Sequence, residues 1–140
     1  MNWLYWSLLS AFFAGLTAVL AKVGVAGVDS TLATAIRTSV ILIFAWAMAF
    51  VTARPADVGS LTGRTWLFLA LSGIATGLSW ICYFRALQLG EASQVAPIDK
   101  LSVVFVLLFA ALFLREPLTL RSGIGGGLIV AGAIILAWKR

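Results

Sequence analysis

Five long uncharged stretches constrain this chain more than any other feature. They cover residues 3–21, ended by Lys22; 38–53; 65–84, bracketed by Arg64 and Arg85; 101–114; and 122–138, closed by Lys139 and Arg140. A helix needs about 20 residues to cross the hydrocarbon core of a bilayer. The second stretch reaches that length by starting near Thr31, which encloses Arg37, and the fourth by starting near Val95, which encloses Asp99 and Lys100. The pattern predicts an all-α membrane protein with transmembrane helices at about 3–22, 31–53, 65–86, 95–114 and 120–138, in one domain over residues 1–140.

Composition supports this. Of 140 residues, 62% are hydrophobic and 11% charged, whereas soluble domains carry about 25% charged residues. A soluble chain this short has no core large enough to hide so much apolar surface. The net charge of +5 does not point to nucleic acid, because the ten Lys and Arg sit at the ends of apolar runs rather than on one face. Cys82 lies inside an apolar run and reads as a buried, inert thiol. With a single cysteine there is no intramolecular disulfide, and with no histidine the commonest general base and metal ligand is missing. The opening Met1-Asn2-Trp3-Leu4-Tyr5-Trp6 has no positive n-region and reads as the first helix rather than a signal peptide.

Connections are short. The longest, residues 54–64, carries the Pro, Gly and Asp of a surface loop, and Leu114-Arg115-Glu116-Pro117 reads as a helix stop. With five crossings, Arg54, Arg64, Arg115 and Arg121 fall on the N-terminal side and Lys22, Arg85, Lys139 and Arg140 on the other. That balance fits a chain that inserts both ways; counting Arg37 and Lys100 as well tilts it toward a cytoplasmic C-terminus.

Several helix faces are patterned. Gly123, Gly127 and Ala131 recur at spacing four on the last helix, and Gly73 with Gly77 forms a second small-residue pair continued by Trp80 and Phe84. Such stripes let helices approach closely in lipid, against a second copy or within the chain. On the third helix Ser72, Thr76, Ser79 and Tyr83 make a polar stripe, which either lines a wet cavity or bonds back to its own helix. Ser7, Ala11, Ala14, Ala18 and Ala21 give the first helix a smooth packing face.

Arg37, Asp99 and Lys100 are the charges inside predicted spans. A charge there normally faces a partner or water. Counted from the predicted starts, Arg37 lies about 9 Å and Asp99 about 6 Å into its helix, at similar levels on one side of the membrane. That permits an Arg37–Asp99 pair, leaving Lys100 as a second cation; for the two long side chains, snorkelling to the interface is the alternative. A cavity lined by this group has a net positive sign and suits a substrate with an anionic group.

The run Trp80-Ile81-Cys82-Tyr83-Phe84-Arg85-Ala86-Leu87, the run from Gly90 to Ser102 with Pro97-Ile98-Asp99-Lys100, the run Leu112-Phe113-Leu114-Arg115-Glu116-Pro117-Leu118-Thr119 and the Gly-rich last helix together resemble the EamA-type domain of the drug/metabolite transporter superfamily. Lys22 and Arg37 match as well. Most members have ten helices built from two such units in opposite orientation. The resemblance therefore implies a half-size, five-helix branch, half of an inverted-repeat transporter fold, that works as a homodimer, plausibly antiparallel. The small multidrug resistance family of the same superfamily depends on a glutamate in its first helix, and residues 3–21 hold no acid, so that coupling mechanism does not carry over.

The expectation is a carrier for small organic metabolites in the cell membrane of a bacterium or archaeon, working by alternating access. Arg37, Thr76, Ser79, Trp80, Tyr83, Asp99 and Lys100 are the substrate-path candidates, and Gly73, Gly77, Gly123, Gly127 and Ala131 the packing candidates. A non-transporting membrane subunit that binds another protein through its Gly-rich faces is the rival. Neither a nucleophile with an adjacent base nor a zinc-ligand set stands out, so no enzyme, cofactor or metal is expected.

Overall fold

The computed structural model describes residues 2–52 and 55–138. Arg54, Lys139 and Arg140, three of the charges weighed for orientation, lie outside the described residues, as do Met1 and Ala53, the latter the predicted end of the second segment.

The described residues form α1 (Trp3–Gly24), α2 (Ser30–Thr52), a 3-10 helix (Pro55–Ser60), α3 (Gly63–Leu89), α4 (Ala92–Asp99), α5 (Ser102–Phe113) and α6 (Leu120–Ala137). Five helical stretches are long and apolar enough to cross a membrane, with α4 and α5 together making the fourth, Ala92–Phe113. The predicted all-α, five-span class holds, with ends displaced by a few residues. The helices fall into two compact units, Met1–Val23 with Leu89–Arg140, and Gly24–Gln88.

Each helix starts and stops for local reasons. Asp29 caps α2: its Oδ1 accepts from the backbone N–H groups of Thr31 at 2.9 Å and Leu32 at 3.1 Å. These two bonds, Leu32 first, hold the Asp29 carboxyl below its ordinary value. The preceding turn places Gly27 at φ 74°, a left-handed conformation that glycine takes without penalty. Thr119 caps α6 reciprocally with Ser122, each side chain accepting the other's backbone N–H at 3.1 Å. At the end of α5, Arg115 takes φ 56°, and Leu114 and Glu116 both donate to the Ala110 carbonyl. The helix stop predicted there is present, and Pro117 follows it.

The fourth span differs from the continuous helix expected over residues 95–114. It begins at Ala92 and breaks at Lys100 and Leu101, between α4 and α5. Pro97 has no N–H to give, and through the break the bonds shorten to i→i+3. Lys100 donates to Pro97 at 3.1 Å, Leu101 to Ile98 at 3.0 Å, Val103 to Lys100 at 3.1 Å and Val104 to Leu101 at 2.9 Å.

Among the described apolar residues, only Ala18, Val25, Phe84, Leu87 and Ala133 are buried in protein. The large side chains point outward, as expected where lipid and not water surrounds the helices. In the unit that holds α1, α4, α5 and α6, α6 packs against both α4 and α5. On the predicted small-residue face of α1, Ala18 is buried and Ala21 half-buried, whereas Ser7, Ala11 and Ala14 are exposed, and Ser7 donates to its own Trp3 carbonyl at 3.0 Å. Cys82 corrects the sequence reading: the thiol is exposed on the outside of α3. An apolar neighbourhood in the sequence marks burial in the bilayer, which is not burial in protein.

Candidate functional site

In the Gly24–Gln88 unit the predicted charge and aromatic residues come together. Arg37 projects from α2, and its guanidinium lies over the Trp80 ring, 4.5 Å from the centroid, and over the Phe84 ring at 5.3 Å. Trp80 and Phe84 sit one turn apart on α3, so they offer two rings on one face. Phe84 is buried, and Arg37, Trp80 and Tyr83 are half-buried. The Tyr83 phenol is within electrostatic range of the guanidinium.

Depth decides between a cation held here and one that snorkels. Arg37 is about 10 Å along α2 from Ser30 at 1.5 Å per residue. Phe84 and Trp80 are about 7 Å and about 13 Å back from the end of α3. The guanidinium lies closer to the deeper ring, so it is not drawn out to the helix end. Holding a cation at such a level costs at least about 2.5–3.5 kcal/mol, and ring faces return about 0.5–2 kcal/mol each. The two rings together return about 1–4 kcal/mol, which is of the same size as that cost.

The mouth of this unit is tied down. Gln88 Nε2 donates to the carbonyls of Val28, at 2.5 Å, and Val25, at 3.3 Å, while Arg85 donates to Gln88 Oε1 at 3.2 Å. These bonds fix the end of α3 against the turn that leads into α2. Sequence reasoning missed Gln88, and it took Phe84 for packing alone.

The polar stripe of α3 divides. Thr76 donates to its own Ser72 carbonyl at 2.9 Å, the back-bonded alternative, whereas Ser79 stands exposed on the same helix. Thr34 and Thr38 on α2 likewise donate to Ser30 and Thr34, both at 2.8 Å.

In the other unit Asp99 and Lys100 occupy the break between α4 and α5 and pair with each other at 3.4 Å, both partly exposed. Within their own units the partner of Asp99 is Lys100 and the partners of Arg37 are two rings. Lys22, at the end of α1, donates to the Gly90 carbonyl at 2.7 Å and so braces the corner before α4.

The glycine faces also divide. A Cβ at Gly126 would stand 3.3 Å from Leu107 Cδ1, so Gly126 is where α6 meets α5. At Gly73, Gly77, Gly123 and Gly127 a Cβ would meet nothing within 4 Å among the described residues. Gly123 and Gly127 border an apolar cavity of about 320 Å³ that Val104, Leu107 and Leu108 line from α5. No group of three or more His, Cys, Asp or Glu able to hold a metal occurs among the described residues.

An all-helical chain with five spanning segments, a broken fourth span and a membrane-embedded arginine belongs among polytopic membrane proteins. The match to the EamA-like transporter model runs over residues 1–138, and the chain belongs to that family. It is 56% identical over 136 residues, 97% of its length and 96% of the relative's, to an uncharacterized transporter in the cobO 3' region of Sinorhizobium sp. It is 36% identical over 73 residues, 52% of its length and 68% of the relative's, to a probable 4-amino-4-deoxy-L-arabinose-phosphoundecaprenol flippase subunit ArnE of Enterobacter sp. (strain 638). An uncharacterized transporter of Methanothermobacter thermautotrophicus is 35% identical over 71 residues, 51% of this chain and 21% of that longer protein. No solved structure matches. The chain is a multi-pass bacterial membrane protein of a transporter family.

Proposed function

We propose that the chain is a carrier for small organic metabolites that works as a homodimer by alternating access. Family membership over residues 1–138 carries the transport reading. The dimer is supported by the length shared with the Sinorhizobium relative over 96% of that protein, and by Gly73, Gly77, Gly123 and Gly127, where a Cβ would meet nothing within 4 Å among the described residues. An antiparallel pair of half-size chains would make an inverted repeat of the kind that recurs among transporters. Arg37 with Trp80 and Tyr83 is the candidate substrate-facing group. Asp99, at the helix break, is the candidate for binding a coupling proton or ion, and Lys100 its counter-charge. This reading assigns the chain no catalysed reaction.

A second reading follows from the Enterobacter relative, a probable flippase subunit: the open glycine faces would then dock a different membrane protein. Reconstitution into liposomes separates the two. The purified chain alone should take up at least one component of a metabolite mixture saturably. Absence of flux for every component, with a stoichiometric foreign partner co-purifying from native membrane, would establish the subunit reading instead.

A further inference from the structure

We propose that the in-plane edge of the Arg37 guanidinium is an oxyanion-binding site, taking a carboxylate or a phosphate, with Trp80 and Phe84 fixing its orientation. The assignment rests on the carrier reading and names the substrate class.

A guanidinium is flat. Its faces stack on rings, and its five N–H donors lie in the plane, where they match the two oxygens of a carboxylate or phosphate. Here Trp80 and Phe84 stand 4.5 and 5.3 Å from the guanidinium carbon, and neither ring supplies the oxygen acceptors that its N–H fork matches. Among the described residues that edge donates no hydrogen bond and makes no ion pair.

Apart from the Tyr83 phenol, which lies within electrostatic range, no neighbouring group in this unit supplies an acceptor. Within this unit, Asp29 is eight residues before Arg37, about 12 Å of helix rise, and its Oδ1 already accepts two backbone N–H groups at the start of α2. Arg85, the cation near the mouth, donates to Gln88. Thr34 and Thr38 spend their protons on their own helix and cannot donate to an anion. A cation beside two rings, with no acid paired to it within its own unit, is the arrangement that an incoming oxyanion completes.

Two sources share this chemistry, a soluble organic anion and a lipid phosphate headgroup, and the test separates them. The full chain is reconstituted in phosphatidylcholine nanodiscs and its thermal unfolding is followed against benzoate, benzylphosphonate and neutral benzamide. In the lipid arm, phosphatidic acid replaces a graded share of the phosphatidylcholine, with no soluble probe. Saturable stabilisation by benzoate or benzylphosphonate and none by benzamide identifies a soluble anion; saturation with phosphatidic acid alone identifies a headgroup.

In either arm Arg37→Gln should bind at least about tenfold more weakly, and Arg37→Lys should fall between, because the charge stays and the fork is lost. Trp80→Leu should weaken binding and Trp80→Phe less so. If Arg37→Gln does not fold, Arg37→Lys and the wild-type probe series decide. Equal response to benzamide and benzoate, no response to any anionic probe or lipid, or unchanged binding by Arg37→Lys overturns the assignment. Anion binding without flux sinks only the carrier reading; flux of a neutral metabolite without anion binding sinks only this one.

Discussion

Replacing Gly126 and Gly127 by valine, one at a time, separates packing within the chain from packing between copies. A Cβ at Gly126 already stands 3.3 Å from Leu107 Cδ1, so the two γ-carbons of valine run into α5. Overpacking of this kind costs about 1–3 kcal/mol. At Gly127 a Cβ meets nothing within 4 Å, and the added methyls enter space beside the 320 Å³ cavity. The chain's own stability should then change only by the difference in helix preference, within about 1 kcal/mol.

If the face carrying Gly123, Gly127 and Ala131 meets the same face of a second copy, a two-fold interface takes the perturbation twice. Even about 0.7 kcal/mol per copy then lowers the association constant about tenfold. Energy transfer between donor- and acceptor-labelled chains in liposomes, across a range of protein-to-lipid ratios, reads association; denaturant unfolding in micelles reads the fold. Gly126→Val should lower the unfolding midpoint, and Gly127→Val should lower association with the midpoint kept. A Gly127→Val chain that associates like the wild type would refute the interface, and an unchanged midpoint for Gly126→Val would refute the contact with Leu107.

Pro97→Ala returns an N–H to α4 and should raise the thermal midpoint while slowing transport of whatever substrate the uptake screen identifies; a straightened, more stable and equally fast variant would show that the break has no part in the cycle. Asp29 supplies a pH dependence. Its carboxyl lies below the ordinary 3.8 because the Leu32 and Thr31 amides bond the charged form, so its contribution is present above that value and is lost as pH falls through the folded-state value. Protection of the Thr31 and Leu32 amides, measured against their intrinsic exchange rate, should fall on acidification in that window, and Asp29→Ala should remove the dependence.

Much of this architecture was legible in the uncharged runs, because in a bilayer a span is defined by length and polarity before packing enters. What escaped has physical reasons. Extending the fourth span back past Pro97 supplied length, but length does not show that the ladder shortens to i→i+3 bonds at Lys100 and Leu101, where the helix divides. The run Gly125-Gly126-Gly127 puts a glycine on nearly every face, so spacing alone could not say that Gly126 is the one against α5. Arg37, Trp80 and Tyr83 each stand out by charge or aromatic character, but a charge count does not show that a guanidinium also lies against rings. Phe84, one turn from Trp80, was the available signal. Gln88 carried none, since an amide at a helix end reads like any interfacial residue.

The bonds from Gln88 to the carbonyls of Val25 and Val28 bear on how sidedness can be mapped. A tag or protease site spliced into that bend unhooks the amide from both acceptors and releases Arg85 with it. Its signal would then describe a damaged bend rather than a native address. Reporters for insertion direction belong at other corners of the chain.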